Sequence, residues 1–266
     1  MRNNKLLILK IGGSVITEKS KVLTSNLPVI KRLAREIAEA KPQSLIIVHG
    51  GGSYGHPLAE RYKLRDGLRE PSQRIGFSET HEAMVSLNRL VVNSLLEQNV
   101  PALGMPSSSF AVTKNGRIHM LTDEPLIMAV KNDLIPVLYG DVVFDIDKGF
   151  TILSGDQIAA LLAVKLHAER IIMGVDVDGL YTSDPKVDPS AILIPHLTLK
   201  ELEKLKDKIG GVNVSDVTGG MAGKVLELMQ PIAEGVQAVI VNALRPNSIY
   251  KALKGEELIG TRISKT

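Results

Sequence analysis

The chain contains no cysteine, which removes disulfides, thiolate zinc sites and thiol nucleophiles from consideration. Neither sign of charge dominates. A net charge of +3 spread over 266 residues is too small and too dispersed for nucleic acid to be the main partner. No apolar run approaches the length of a membrane span, so no membrane partner is expected. The first run, Leu6–Leu9, lies between Lys5 and Lys10 and lacks a small-residue cleavage site. It does not read as a signal peptide, and the cytoplasm is the expected compartment. The six histidines form no HxxxH or HxH pair, so no protein-bound metal site is expected.

What is present is an ordinary globular composition, 44% hydrophobic and 23% charged, long enough to bury a sizeable core. Short apolar runs predict strands at Leu6–Ile11, Ser44–Val48, Val100–Met105, Ile135–Tyr139, Arg170–Val175 and Ala238–Val241. Helical spacing predicts helices over Leu27–Ala40, Gln73–Gln98, Pro125–Asn132, Asp156–His167, Thr198–Lys206 and Met221–Glu234, with Pro246–Lys254 closing the series. The Asn115-Gly116 pair between two short runs predicts a hairpin, and a second hairpin is expected over Val142–Asp145 and Phe150–Leu153. Strands alternating with helices imply an α/β fold, a three-layer αβα sandwich around a mostly parallel open sheet.

In such sheets ligands sit beyond the carboxyl ends of the strands. Polar glycine-rich segments fall at several of those ends: Lys10–Ser14, His49–His56, Ser154–Asp156, Gly174–Pro185 and Asp216–Lys224. Glycine lets backbone N–H groups approach phosphate oxygens, and a following helix N-terminus adds a favourable dipole. Each loop alone is no more than a tight turn; five together point to an anionic ligand. Three simpler motif readings fail. Gly50-x-Gly52-x-x-Gly55 follows the second strand rather than the first and lacks the later acidic residue of a dinucleotide fold. Gly219–Lys224 is one residue short of a P-loop and ends in Val225 rather than a hydroxyl residue. Asp176-Val177-Asp178-Gly179 lacks the remaining ligands of a calcium loop.

Taken in order, these segments resemble the amino acid kinase superfamily, which includes acetylglutamate, glutamate, carbamate, aspartate and uridylate kinases. The resemblance covers nearly the whole chain. Lys10-x-Gly12-Gly13-Ser14 looks like the first phosphate loop and His49-Gly50-Gly51-Gly52 like the second. Gly140-Asp141-Val142 and Ser154-Gly155-Asp156 resemble the central segments, and Val175–Pro185 the nucleotide-binding segment. Thr218-Gly219-Gly220-Met221-x-Gly223-Lys224 resembles the loop that grips the ATP phosphates. Within the superfamily, Gly52-Ser53-Tyr54-Gly55-His56 and Gly13–Lys19 are similar to the branch whose acceptor is isopentenyl phosphate. A phosphonate-antibiotic kinase shares much of the pattern and stands as the rival, and a non-catalytic nucleotide sensor is the alternative of another class.

The resemblance implies one domain over residues 1–266, softly divided near residue 170 into an acceptor-binding lobe and an ATP-binding lobe. It implies ATP with Mg2+, and a homodimer. ATP is expected on Lys10, Gly12, Gly13, Ser14, Gly52, Asp176, Tyr181, Thr182, Ser183, Asp184, Pro185, Lys186, Gly219, Gly223 and Lys224. The acceptor is expected on Gly51, Gly55, His56 and Gly155. The catalytic set is Lys10, Lys19, His56, Asp156 and Lys224. Phosphoryl transfer needs positioning and charge neutralisation more than covalent help, which suits three lysines. Lys10 and Lys224 belong on the β/γ-phosphates, and Lys19 near the transferring group. His56 would select a phosphate acceptor, its protonated form favoured by anionic company. Asp156 would cap its helix, orient the two phosphate-binding lysines, or do both. Ile75, Phe77, Met84, Val85, Phe144 and Ile152 are candidates to line an apolar tail pocket. His49 reads as structural, and His81, His119, His167 and His196 have no supporting context.

Overall fold

The structure, a computed structural model, describes residues 5–185, 187–209 and 221–266. In chain order the first elements are β1 (Leu7–Ile11), α1 (Gly13–Ile16), α2 (Leu27–Ala40), β2 (Leu45–His49), α3 (Gly52–Arg61) and α4 (Ser72–Leu96). Then come β3 (Ala102–Gly104), β4 (Ala111–Lys114), β5 (Arg117–Leu121), α5 (Glu124–Lys131), β6 (Ile135–Tyr139), β7 (Asp141–Asp145) and β8 (Gly149–Leu153). The chain continues through α6 (Gly155–Lys165), β9 (Arg170–Val175), β10 (His196–Thr198), α7 (Leu199–Ile209) and α8 (Met221–Ala233). It ends with β11 (Gln237–Asn242), α9 (Ser248–Lys254) and β12 (Gly260–Ser264).

Eight strands form one sheet in the order β10-β12-β11-β9-β1-β2-β6-β3, and within it only β11 and β12 run antiparallel. Strand alternation sorts β1 between two cores. Leu7, Leu9 and Ile11 face α2, α4 and α9, whereas Ile8 faces α6 and α8. Helices therefore cover both faces, giving the expected αβα layers. The two hairpins leave this sheet and form a separate one, β5-β4-β7-β8. A small apolar cluster of Ala59, Leu64, Val142 and Phe150 joins that sheet to α3. No helix among the described residues is long and apolar enough to cross a membrane.

Register decides where the loops emerge. Ile11 pairs with His49 on one side and Gly174 on the other, so the loops after β1, β2 and β9 leave the same edge at the same height. The segment after β2, expected as a loop through His56, instead turns into α3 at Gly52, which places His56 inside a helix. Pro57 follows within α3 and has no N–H for the Ser53 carbonyl. That carbonyl takes the Leu23 N–H instead, at 3.0 Å, which ties the loop after α1 to α3.

Candidate active site

The loops after β1 and β2 are locked together through their glycines. A Cβ on Gly13 would lie 2.2 Å from the Gly52 nitrogen. Gly52 sits at φ +48°, and a Cβ there would lie 2.1 Å from Thr17 Oγ1. Thr17 holds the junction from both sides: its hydroxyl donates to Gly13 O at 2.8 Å and accepts Ser53 N–H at 3.0 Å. Gly12 N–H reaches Gly174 O at 2.8 Å, and Gly50 N–H reaches Ile11 O at 2.9 Å. Gly155 packs on the other side of β2, where a Cβ would lie 3.0 Å from His49 O. Gly51 and Gly55 serve packing as well, since a Cβ at either would press on the Met84 sulfur at 3.1 and 3.0 Å.

Alternation places Lys10 on the same face as Ile8, beneath the start of α6. It is 3% exposed rather than a solvated strand end. Lys10 Nζ lies 2.7 Å from Asp156 Oδ1, and Lys224 Nζ donates to Asp156 Oδ2 at 3.1 Å. Asp156 is not the helix cap; Ser154 is, its hydroxyl accepting the Asp156 N–H at 3.1 Å. The carboxylate is thereby free to bridge two lysines that stand 214 positions apart (224 − 10) in the chain. Burial pulls the Lys10 pKa below its ordinary value, and the Lys224 charge pulls the same way, while Asp156 opposes both. Burial pushes Asp156 up, but the two lysines outweigh it and hold the carboxyl below the usual range.

His56 is open to solvent in α3 and stands among cations rather than anions. Loss of hydration, then Arg65, Lys224 and Lys10, lower its pKa below 6.5, against a small lift from Glu60. Without a bound anion these influences favour the neutral ring; the protonated form expected in anionic company belongs to the bound state. His49 is structural as expected. Burial takes its pKa to about 4, its Nδ1 donates to Gly50 O at 3.1 Å, and Asn88 Nδ2 donates to its Nε2 at 3.1 Å.

Lys19 and Asp176 meet at 2.9 Å, so the loop after α1 touches the end of β9. Asp178 anchors the segment that follows β9. It accepts Arg245 Nε and Nη2, each at 2.6 Å, and Asn242 Nδ2 at 2.9 Å, while Tyr181 Oη approaches at 3.4 Å. Beyond Tyr181, Thr182, Ser183 and Asp184 are exposed and Pro185 half-buried. Ser14, Gly223 and Lys224 are half-buried at their helix starts. Lys186 and Gly219, both expected on ATP, lie outside the described residues, as does the stretch from Asp216 to Gly220. The tail candidates divide: Met84 is buried, Ile75 and Phe144 are 60% and 57% exposed, and Phe77, Val85 and Ile152 are half-buried. Phe77 stacks on Phe144 at 5.4 Å.

His81, which had no context in the sequence, is paired. Its Nδ1 lies 2.8 Å from Oδ2 of the buried Asp141, which raises the His81 pKa. Burial in turn lifts Asp141. Arg65, Arg245 and Asn242 are the other unexpected members. None sits in a glycine loop, so no sequence signal marked them.

Comparison with known proteins agrees with this geometry. Residues 5–242 match the amino acid kinase family. The chain is 40% identical to an isopentenyl phosphate kinase of Methanothermobacter thermautotrophicus, over 97% of this chain and 99% of that one. It is 34% identical to one of Methanocaldococcus jannaschii, over 97% and 98% of the two chains. A crystal structure of an isopentenyl phosphate kinase superposes with a TM-score of 0.86 at 36% identity, covering 97% of this chain and 100% of that one. With the interlocked glycine loops and the lysine pair on Asp156 in place, the chain belongs to the amino acid kinase family, in its isopentenyl phosphate kinase branch.

Proposed function

We propose that the protein transfers the γ-phosphoryl group of ATP to isopentenyl phosphate, giving isopentenyl diphosphate and ADP. The observation that carries this reading is the single carboxylate of Asp156 holding Lys10 and Lys224 together at the carboxyl edge of the sheet. Two ammonium groups aimed from one anchor suit the β- and γ-phosphates. Lys19, on the facing loop, is the third cation and reaches the transferring group from the acceptor side. The acceptor is named by the relatives, and His56 beside Arg65 suits a phosphate monoester.

The chemistry asks little more of the chain. A monoester has a second pKa of about 6, so its oxygen is already nucleophilic at neutral pH and no strong base is required. That oxygen attacks the γ-phosphorus in line, the bond to the β–γ bridging oxygen breaks, and ADP leaves with the electron pair. The obstacle is repulsion between two anions, and the three lysines oppose it in a partly desolvated cleft. Among the described residues no group of three His, Asp or Glu side chains gathers as a metal site. Both Asp156 oxygens already face lysines. A Mg2+ would be carried by the phosphates of ATP rather than by side chains, and would supply further charge neutralisation. The isopentenyl tail would lie against Phe77, Val85 and Ile152. In line with its kinship, the enzyme would act in the cytoplasm as a homodimer, which sedimentation would check.

The test is ADP release from ATP and Mg2+ with isopentenyl phosphate, beside glutamate, acetylglutamate, UMP and fosfomycin. Turnover on isopentenyl phosphate that is lost in His56→Ala supports the acceptor and the residue that selects it. Turnover on fosfomycin alone would move the chain to the phosphonate reading. Lys224→Ala separates an enzyme from a sensor, since a sensor loses nothing but affinity.

A further inference from the structure

The β4–β5 hairpin lies outside the main sheet, yet its tip is built rigidly. Asp145 accepts the Thr113 hydroxyl and Gly116 N–H at 2.8 Å, Lys148 N–H at 2.9 Å, Asp147 N–H at 3.0 Å and Asn115 N–H at 3.2 Å. Burial opposes the charge, but these donors outweigh it and hold the carboxyl at about 2. From this tip two contacts run to the helices that carry the site. Gln157, next to Asp156 in α6, accepts Ile118 N–H at 2.6 Å and donates to Gly116 O at 3.2 Å. Arg117 forms a two-pronged pair with Glu227 of α8, one arm being Nη2 to Oε2 at 2.9 Å.

Glu227 stands three residues after Lys224, so the two share one side of α8. The helices α6 and α8 are therefore tied twice. The inner tie is Asp156 to Lys224, and the outer tie runs from Gln157 through the hairpin and Arg117 to Glu227. The outer pair is a poor stabiliser, because the Arg117 side chain is 65% exposed and such pairs contribute roughly 0–1 kcal/mol. Its two-pronged geometry is better suited to fixing direction. Val225, Leu228 and Ile232 pack α8 into the core, and a second polar hold beside Lys224 limits the roll that this packing leaves at its first turn. The Lys224 ammonium sits at the end of a long side chain, and a displacement of about 1 Å there can cost about 10²-fold in rate.

We propose that Arg117 is a positioning residue for phosphoryl transfer: through Glu227 it fixes the roll of α8 and so the place at which Lys224 meets the nucleotide. The inference rests on the kinase reading, since Lys224 is the group being positioned. Arg117→Ala, Arg117→Glu, Glu227→Arg and the exchanged pair (Arg117→Glu with Glu227→Arg) test it. The measurements are kcat and KM for both substrates, ATP affinity by calorimetry, and Tm.

Each single variant is expected to lose about tenfold in kcat/KM for ATP, with KM for isopentenyl phosphate within about twofold. Tm should move by no more than about 3 °C. The exchanged pair should recover most of the loss. Unchanged ATP parameters in the single variants overturn the proposal, as does an exchanged pair no better than the worse single. So does a parallel fall of both substrates and Tm, which would mark the pair as merely structural. If the wild type binds ATP but ignores isopentenyl phosphate, the acceptor reading alone fails. The ATP affinities of the four variants then still decide on the tether.

Discussion

His56 stands among cations until an anion arrives, and that fixes the sign of its pH behaviour. Without a bound anion its pKa lies below the ordinary 6.5. A dianionic acceptor raises it, so binding at pH 7 takes up part of a proton. Acceptor affinity is expected to strengthen as pH falls from about 8 toward the monoester's own pKa near 6. Calorimetry in buffers of different ionisation enthalpy measures the uptake directly. His56→Asn should abolish it, and an uptake that survives the substitution would place the proton elsewhere. Asp156 offers a second test. Asp156→Asn leaves Lys10 buried without its anion, so kcat should fall by about 10²–10³. With burial and Lys224 unopposed, the Lys10 pKa drops further. The remaining activity should therefore fade on the alkaline side at a lower pH than in wild type, and an unshifted pH–rate profile would refute this. At this scale Lys10 and Asp156 were legible because each borders a glycine loop at a strand end. His81 with Asp141, 60 positions apart, and Arg245 with Asp178, 67 apart, were not. Such pairs are made by the fold, and neither partner carries a local mark of the other.

Helix α3 shows how an element can hide in plain sequence. Gly51, Gly52, Gly55 and Pro57 all argue locally against a helix, and the segment read as a loop. The glycines are there because neighbours crowd them, and Ser53 O finds Leu23 N–H where Pro57 offers none. Long helices such as α2 and α4 were legible because their apolar spacing runs over many turns and needs no tertiary support. Strands β10 and β12 were missed for the opposite reason. The first spans three residues, and the second spans five and opens on Gly260, whose Cβ would lie 2.6 Å from Ile240 O. Crowding gives a sharp test at Gly52. Alanine there meets both a positive φ and the Thr17 hydroxyl. Backbone strain alone costs roughly 1–3 kcal/mol. Gly52→Ala should lower the unfolding free energy, read from urea titration, by at least that amount and abolish turnover, because Thr17 and Gly13 must part to admit the methyl group. Gly235→Ala is the control: φ is +92° but nothing lies within 4 Å, so stability falls without loss of catalysis.

Across the whole molecule, the parallel sheet and its covering helices were legible from the alternation of strands and helices, and the separate hairpin sheet was not, because pairing between hairpins leaves no sequence period. The lobe boundary expected near residue 170 raises a question of cooperativity. Strand β1 pairs with β2 on one side and β9 on the other, so the first strand of the chain joins residues from before and after that boundary. Helix α2 also binds residues 243–250 through charged groups. Arg32 Nη2 donates to Ala243 O at 2.6 Å. The buried Glu36 accepts Asn247 and Ile249 N–H at 3.0 Å and Tyr250 N–H at 3.2 Å, capping α9 from a distant helix. A chain of 266 residues exceeds the size at which all-or-none unfolding is routine. These shared elements nevertheless predict a single transition whose calorimetric and van't Hoff enthalpies agree. ATP should raise that transition as one, by mass action on the folded state. Glu36→Ala strands the buried Ile249 N–H at about 1–3 kcal/mol and loses the part-buried bonds of Asn247 and Tyr250, so it should lower the transition without splitting it. Two transitions in the wild type, or an ATP shift confined to one of them, would mean that the lobes melt separately and that β1 belongs energetically to only one of its neighbours.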